Sequence, residues 1–200
     1  MNSTKTVLTV FGTRPEAIKL APVLRELMVR DRVRSINAVT SQHTDLLLPF
    51  LRLFNLSTDY DLKAMQPGQP LNQLVARLFA AIDPVLEAES PNLVMVQGDT
   101  SSALVGAMAA FHRHIPVAHV EAGLRSANPL SPFPEEMNRR LISRLASHHF
   151  AATPHNVELL RAEGVAEESI VLTGNPVIDA VNWIMAESRL RPSCARLSSR

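Results

Sequence analysis

Short apolar runs alternate with helical patterns along the chain, and this alternation constrains the fold more than any other feature. The runs at residues 6–11 and 93–97 are rich in apolar and β-branched residues, which is typical of strands buried on both faces. Strands that are joined by helices pair in parallel. The sequence therefore predicts an α/β fold with a doubly wound, Rossmann-like parallel sheet. Strands are predicted at residues 6–11, 35–40, 59–62, 93–97, 117–120, 149–152 and 170–172, and helices at residues 14–30, 46–54, 71–87, 103–112, 134–146, 154–163 and 177–186.

Length and composition place the chain among globular proteins. Its 200 residues suit one domain, or one domain with the start of another. The net charge of +1 gives no electrostatic reason to expect a nucleic acid or a membrane as a partner. The single cysteine, Cys194, excludes a disulfide framework and fits a reducing compartment. The polar amino terminus has no apolar segment of signal-peptide length, so the cytoplasm is the predicted location.

The turn after the first predicted strand offers a site for an anion. Thr13 and Glu16 have the spacing of a capping box, so a helix is predicted to start between them. Its amino terminus, with Arg14 and Lys19 close by, would favour a bound anion. A plain strand–helix turn with a surface arginine is an equally good interpretation of this segment taken alone. The apolar face of the helix is predicted to comprise Ile18, Ala21, Leu24, Leu27 and Met28.

Carboxylates follow two further strands and open the helix after the Pro-rich loop. Asp99 comes directly after the strand at 93–97, Glu121 follows the strand at 117–120, and Glu135 stands at a helix start. Because the carboxyl ends of parallel strands meet at one edge of a sheet, we expect these carboxylates to share one crevice.

Each carboxylate also has a structural explanation. Asp99 could cap the helix that starts near Ser102. Glu121 could pair with Arg125, and Glu135 and Glu136 could favour their own helix start through its dipole. Three such sites at three loops of one sheet edge make a purely structural role for all of them less attractive.

The seven histidines do not predict a metal site. His112 and His114 are two residues apart and His148 and His149 are adjacent, so neither pair has the helical spacing of a zinc motif. The segment after the strand at 93–97 also lacks the G-x-S-x-G pattern of a hydrolase nucleophile.

Six stretches, in order along the chain, together resemble one family. They are FGTRPEAIKLAP at 11–22, QH at 42–43, QGDTSS at 97–102, HVEAGLRS at 119–126, SPFPEEMNRR at 131–140 and LTGNPVIDA at 172–180. The family that they resemble is that of the non-hydrolysing UDP-N-acetylglucosamine 2-epimerases, and the resemblance extends to about Trp183.

This resemblance implies a cytoplasmic, homodimeric enzyme with two Rossmann-like domains of the GT-B type and the substrate between them. It implies interconversion of UDP-GlcNAc and UDP-ManNAc without a redox cofactor. UDP would leave first to give 2-acetamidoglucal, and it would add back after C2 is reprotonated on the opposite face.

The resemblance also implies roles for single residues. The catalytic carboxylates would be Asp99, Glu121 and Glu135, and the sequence leaves open which of them acts as acid and which as base. Residues that bind the substrate would be Arg14, Lys19, His43 and Arg139. Gln42 falls in a region that is linked, in some members, to a second, activating UDP-GlcNAc. A metal ion is not implied.

Members of the family are nearly twice as long as this chain, so it is predicted to be their sugar-side half, which alone would turn over poorly or not at all. Residues 1–173 are predicted to form the amino-terminal domain, 174–188 a crossover helix into a missing second domain, and 189–200 a disordered tail. Two alternatives to the epimerase remain open. One is an inactive domain that folds and dimerises without turnover, and the other is half of a GT-B glycosyltransferase.

Overall fold

A computed structural model describes residues 4–40 and 44–190. The strands are β1 (Lys5–Phe11), β2 (Val33–Val39), β3 (Tyr60–Asp61), β4 (Leu93–Gln97), β5 (Val117–Ala122), β6 (His148–Ala151) and β7 (Ile170–Leu172). The helices are α1 (Arg14–Met28), α2 (Thr44–Leu53), α3 (Leu71–Glu89), α4 (Ser101–His112), α5 (Glu135–Leu145), α6 (Pro154–Ala162) and α7 (Val177–Leu190). One turn of 3₁₀ helix, Glu167–Ser169, precedes β7.

The seven strands form one sheet in the order β3-β2-β1-β4-β5-β6-β7. All six neighbouring pairs are parallel. The order runs outward from β1 in both directions, so the strand order reverses between β1 and β4. The predicted doubly wound, Rossmann-like sheet is confirmed, and the reversal creates a crevice at the carboxyl ends of these two strands.

Helices cover both faces of the sheet. On one face, residues of α3, α4 and α5 belong to one core cluster with Leu8 and Val10 of β1. On the other face, residues of α1, α2 and α7 belong to a second core cluster with Val7 and Phe11 of the same strand. Because successive strand residues point to opposite faces, a strand that is buried on both sides must be apolar nearly throughout. This is why the strands are visible in the sequence as continuous apolar runs.

Helix α1 begins as predicted, but its buried face differs from the predicted one. Thr13 and Glu16 form the complete capping box. The buried apolar positions are Ala17, Leu20, Ala21 and Leu24. Met28 is 49% exposed, so its assignment to the core was wrong. The helix ends at Met28, two residues before the predicted end. Because Met28 is half exposed, the last residue of the helix lies at the edge of the core.

Two glycines, Gly12 and Gly123, allow neighbouring segments to pack closely beside the crevice. A Cβ on Gly12 would lie 1.8 Å from Thr40 Oγ1, so only glycine lets the end of β1 lie against the end of β2. Gly123 has a φ of +84°, and a Cβ there would lie 2.4 Å from the carbonyl oxygen of Asn156. Asn156 Nδ2 in turn donates to Gly123 O at 3.1 Å, which fixes α6 beside the end of β5.

Helix α7 reaches Leu190 and so includes the first two residues of the predicted tail. The rest of that tail, residues 191–200, lies outside the described part of the chain. None of the helices within residues 4–40 and 44–190 is long and apolar enough to cross a lipid bilayer.

Candidate active site

A cleft of about 670 Å³ lies at the carboxyl ends of β1, β4 and β5. Six of the eight predicted site residues line it, namely Arg14, Lys19, Asp99, Glu121, Glu135 and Arg139. The other two, Gln42 and His43, lie outside the described residues. The cleft is therefore built where three strands end and where α1, α4 and α5 begin.

Glu121 lies at the centre of the polar network in the cleft. Its Oε2 accepts a hydrogen bond from Lys19 Nζ at 2.6 Å and another from the side-chain amide of Gln97. Its Oε1 accepts from Asn175 Nδ2 at 3.2 Å. Glu121 thus joins β5 to α1, to β4 and to the turn that precedes α7.

The backbone of Glu121 has an unusual conformation. Its φ is +66°, and the pairing of β5 with β6 shifts register between Val120 and Ala122. A side chain in this left-handed region costs about 1–3 kcal/mol, and such strain is often found at functional sites. The resulting bulge changes the direction of the side chain, which would otherwise continue the alternation of β5.

Arg125 does not pair with Glu121, although the sequence left that alternative open. Its guanidinium instead binds Glu163 through two hydrogen bonds, Nε to Oε1 at 2.7 Å and Nη2 to Oε2 at 2.8 Å. The hydrogen bond from Arg125 lowers the pKa of the Glu163 carboxyl. Arg125 also donates to Ser143 Oγ at 2.8 Å, so it fastens the segment after β5 to α5 and α6. Arg125 therefore does not bind Glu121, whose side chain lines the cleft.

Asp99 lines the cleft, and its neighbour Thr100 caps α4 in its place. Thr100 is the N-cap, and its Oγ1 accepts from Ala103 N at 3.0 Å. The carboxylate of Asp99 is paired with Arg139, and Asn138 Nδ2 donates to the Asp99 carbonyl oxygen at 2.8 Å. The alternative in which Asp99 caps the helix is therefore wrong. Helix α5 holds both the backbone and the side chain of this residue.

The adjacent residues Glu135 and Glu136 have different surroundings. Glu136 has a fully buried side chain that accepts from Arg140 Nε at 2.8 Å, from Ser126 N at 2.9 Å and from Arg139 Nη1 at 3.2 Å. Burial alone would raise the pKa of Glu136, but hydrogen bonds from Arg140, Ser126 and Arg139 outweigh it and lower the pKa. Glu135 lines the cleft. Glu136 therefore orients Arg139 and anchors the Pro-rich loop.

Three polar residues of the cleft were missed from the sequence as site residues. Gln97 is the last residue of β4, and a polar side chain that ends an apolar run was the available signal. Asn138 lies almost one turn after Glu135 on α5, which places both toward the cleft. Glu16 was recognised only as a capping residue, yet it also lines the cleft.

Two histidines lie in the core behind the cleft. His119 is completely buried, and its Nε2 lies 2.7 Å from Gly98 O. Burial lowers the pKa of His119 to about 4, so the ring is neutral and Nε2–H donates to the carbonyl. His149, its neighbour on β6, is also buried, and burial lowers its pKa as well. Within the described residues no group of three or more histidine, cysteine or carboxylate side chains is placed to hold a metal ion.

The cleft combines carboxylates with cations. Glu121 is paired with Lys19 and Asp99 with Arg139, while Arg14 lies at the amino terminus of α1 with its guanidinium 5.7 Å from the centre of the Phe50 ring. Cations of this kind can bind an anionic ligand, and carboxylates can transfer protons or stabilise positive charge. The geometry therefore fits acid–base chemistry on an anionic ligand.

Known proteins are similar to this chain in both sequence and structure. The profile of the UDP-N-acetylglucosamine 2-epimerase family matches residues 25–198. A protein named UDP-N-acetylglucosamine 2-epimerase from Yersinia pestis is 48% identical over 178 residues, which are 89% of this chain and 47% of that protein. The crystal structure of UDP-GlcNAc 2-epimerase from Neisseria meningitidis, bound to UDP-GlcNAc, superposes with a TM-score of 0.91 at 43% identity, covering 94% of this chain and 50% of that one.

A more distant likeness concerns the fold alone. MurG from Acinetobacter baumannii has a TM-score of 0.60 at 13% identity over 86% of this chain. In all three comparisons the match covers about half of the other protein, so the chain spans about half the length of the relatives that it matches.

Proposed function

The chain belongs to the UDP-N-acetylglucosamine 2-epimerase family, and we propose that it forms the sugar-side half of an enzyme that interconverts UDP-GlcNAc and UDP-ManNAc. One observation carries this proposal. Asp99, Glu121 and Glu135, which come from three separate segments, line one cleft together with Lys19 and Arg139. Such a cluster is what proton transfer at a sugar ring requires.

The chemistry explains why several carboxylates are needed. The proton on C2 has no neighbouring carbonyl, so its direct removal is unfavourable. Departure of UDP from C1 gives an oxocarbenium-like state, whose positive charge a carboxylate stabilises and whose C2 proton a second carboxylate accepts. The product of this elimination is 2-acetamidoglucal. Return of a proton to the other face of C2, followed by addition of UDP at C1, completes the inversion.

The ion pairs of the cleft support these roles. Lys19 holds the Glu121 carboxylate at 2.6 Å, and Arg139 holds that of Asp99, so both groups are kept in place before the substrate arrives. Preorganised charges of this kind contribute more to a reaction than charges that must first be ordered. Arg14, at the amino terminus of α1, and Lys19, in its second turn, would also attract the diphosphate, since both line the cleft. The division into acid and base among the three carboxylates stays open.

The cellular setting is part of the same proposal. We include a homodimer in the proposal because the resemblance to the family implies one, and Phe111, which is 54% exposed beside the stacked pair His112 and Phe79, is one apolar side chain that such a contact could cover. The cytoplasm is supported by the single cysteine of the chain, since proteins of oxidising compartments commonly carry cysteine pairs. We further propose that residues 1–173 form one domain and that α7 leads toward a second one.

Deuterium uptake tests the proposal. The chain is incubated in heavy water with UDP-GlcNAc or UDP-ManNAc, and the C2 proton is followed by proton NMR. Because the chain spans about half the length of its relatives, the expected result is slow loss of the C2 proton signal, with slow appearance of the other epimer, at high protein concentration. The matched variant Glu121→Gln should reduce the rate by about 10²–10⁴, the range for loss of a general acid or base.

Two other outcomes would contradict it. Binding of the UDP-sugar without exchange at C2, at high protein concentration, would favour an inactive domain, and the half length of the chain motivates this second candidate. Sugar transfer to an acceptor, with the C2 proton retained, would indicate half of a glycosyltransferase.

A further inference from the structure

Glu16 has more hydrogen bonds than its capping role needs. Its side chain is buried, with the residue 2% exposed, between the ends of β1 and β4. Its Oε2 accepts from Gly12 N at 3.0 Å and from Thr13 N at 2.7 Å. Its Oε1 accepts from Thr100 Oγ1 at 2.7 Å. The bonds to Oε2 belong to the helix start, whereas the bond from Thr100 comes from a segment 84 residues away.

Thr100 connects this carboxylate to the residue that follows β4. Its hydroxyl donates to Glu16 and at the same time accepts from Ala103 N as the N-cap of α4. Asp99, whose carboxylate lines the cleft, is its neighbour in sequence. One carboxylate therefore links the turn that bears Arg14 to the turn that bears Asp99.

A second buried contact, between Thr40 after β2 and Ser102 of α4, lies beside these two turns. Thr40 Oγ1 and Ser102 Oγ lie 2.7 Å apart, and both residues are buried. A Cβ on Gly12 would lie 1.8 Å from Thr40 Oγ1 and 3.1 Å from Ser102 Oγ, so the turn after β1 packs directly onto this pair of hydroxyls. The direct hydrogen bond between the two turns is the one from Thr100 Oγ1 to Glu16 Oε1, and this pair of hydroxyls packs beside it.

A helix cap alone does not account for a buried carboxylate at this position. Burial raises the pKa of Glu16, although hydrogen bonds from Thr100, Gly12 and Thr13 act in the opposite direction. An N-cap is worth about 1 kcal/mol, whereas burying a charged group costs several kcal/mol. The bond from Thr100 therefore supplies part of the stabilisation that the buried carboxylate needs, in addition to the bonds of the helix start.

We propose that Glu16 is a positioning residue that sets the distance between the Arg14 side of the cleft and Asp99, acting through Thr100. This proposal rests on the proposed function for its catalytic consequence, but the mechanical coupling between the two turns can be tested without substrate. A displacement of about 1 Å at a catalytic group can cost a factor of about 100 in rate. Loss of the Glu16–Thr100 bond should therefore slow chemistry more than it weakens binding.

The first experiment measures amide hydrogen exchange by mass spectrometry and NMR. Thr100→Val removes the hydroxyl that bridges the turns, and the amides of Gly12 and Thr13 should exchange about tenfold faster, the factor expected for one lost hydrogen bond of ordinary strength. Thr100→Ser keeps the hydroxyl and should restore the rates of the unaltered chain. Thr153→Val is the matched control, because Thr153 caps α6 through Asn156 N and makes no bond to the cleft. It should leave the amides of residues 12 and 13 unchanged.

The second experiment separates this proposal from the proposed function. Glu16→Gln keeps the shape of the side chain, and we expect a fall of about 10–100-fold in the rate of deuterium uptake at C2. The dissociation constant for UDP-GlcNAc, measured by calorimetry, should change much less. Thr153→Val should change neither quantity for the folded protein.

Two results would overturn the inference. Unchanged exchange at residues 12 and 13 in both Thr100→Val and Glu16→Gln would show that the turns are not coupled. If Thr100→Val and Thr153→Val slow deuterium uptake at C2 equally, the slowing results from the loss of any helix cap and not from the loss of the bond to Glu16. If the unaltered chain itself shows no uptake at C2, the proposed function fails, and the hydrogen-exchange result still decides the present inference.

Discussion

The ammonium nitrogen of Lys19 lies 2.6 Å from the carboxylate of Glu121, and this ion pair connects α1 to the end of β5. The side chains are 28% and 14% exposed, so the pair is partly shielded from water while it still faces the cleft. Shielding strengthens the attraction between the charges, but it also makes either partner costly to leave alone.

The first prediction concerns this pair. Lys19→Met should destabilise the chain by about 1–3 kcal/mol, since a partly buried carboxylate loses its strongest donor. It should also weaken UDP-GlcNAc binding, because a cation of the cleft is lost. Arg30→Met is the control, since Arg30 pairs with Glu26 at the exposed end of α1. If Lys19→Met and Arg30→Met lower the free energy of unfolding in urea equally, and weaken UDP-GlcNAc binding in calorimetry equally, Lys19 has no special role.

The second prediction separates the two adjacent glutamates. Glu136→Gln should lower the free energy of unfolding by about 3 kcal/mol, because Arg139 and Arg140 lose a fully buried partner. Glu135→Gln should leave stability nearly unchanged and should abolish exchange at C2. Unfolding can be followed by the fluorescence of Trp183, the single tryptophan, which packs 5.0 Å from the ring centre of Phe54. Similar stability losses in both variants would refute the distinction.

The third prediction concerns pH. The pKa of His119 is about 4 in the folded chain, below the value of about 6.5 expected when it is unfolded. The unfolded chain therefore binds a proton between pH 6.5 and 4 that the folded chain does not. The stability from His119 is fully present above pH 6.5 and is lost as pH falls toward 4, with a total of about 3 kcal/mol.

His119→Gln tests that origin, because the amide nitrogen of glutamine can still donate to Gly98 O. The slope of stability against pH in this window should be shallower for His119→Gln than for the unaltered chain. His155→Gln is the control, since His155 has a 74% exposed side chain. Urea midpoints at several pH values provide the measurement, and identical slopes for all three proteins would contradict the prediction.

The fourth prediction compares two glycines with similar backbone angles. Gly123→Ala combines a φ of +84° with a Cβ only 2.4 Å from the backbone carbonyl oxygen of Asn156, so a loss of about 3 kcal/mol or more in the free energy of unfolding is expected. Gly164 has a φ of +78° and no neighbour within 4 Å of the added Cβ. Gly164→Ala should therefore cost only about 1–2 kcal/mol from the left-handed conformation. Thermal unfolding of the two variants gives the comparison.

The fold was largely predictable because its strands are buried on both faces. The bounds of β4 are those predicted, since its continuous apolar run with a polar end leaves little freedom. The bounds of β7 also match the prediction, although this edge strand is partly exposed. The face of α1 was harder to predict. Apolar residues occupy more than one stripe of this helix, and only packing against the sheet decides that Leu20 is buried while Met28 remains half exposed.

The location of the candidate site was predictable, but the partners of its charged groups were not. The rule that loops at the carboxyl ends of parallel strands meet in one crevice was sufficient to bring Asp99 and Glu121 together. Glu121 pairs with Lys19 rather than with Arg125. This pairing depends on the left-handed φ of Glu121, which no local sequence pattern predicts. Long-range contacts of this kind depend on the whole sheet, so sequence spacing cannot reveal them.

The separation of 102 residues between Lys19 and Glu121 also has a consequence for synthesis on the ribosome. The nascent chain exposes Lys19 and Asp99 early, yet their counterions, Glu121 and Arg139, leave the exit tunnel later. Chains arrested before that point hold Lys19 and Asp99 without the counterions that orient them. Under the proposed function, truncated nascent forms would therefore show no turnover until the chain has folded through α5.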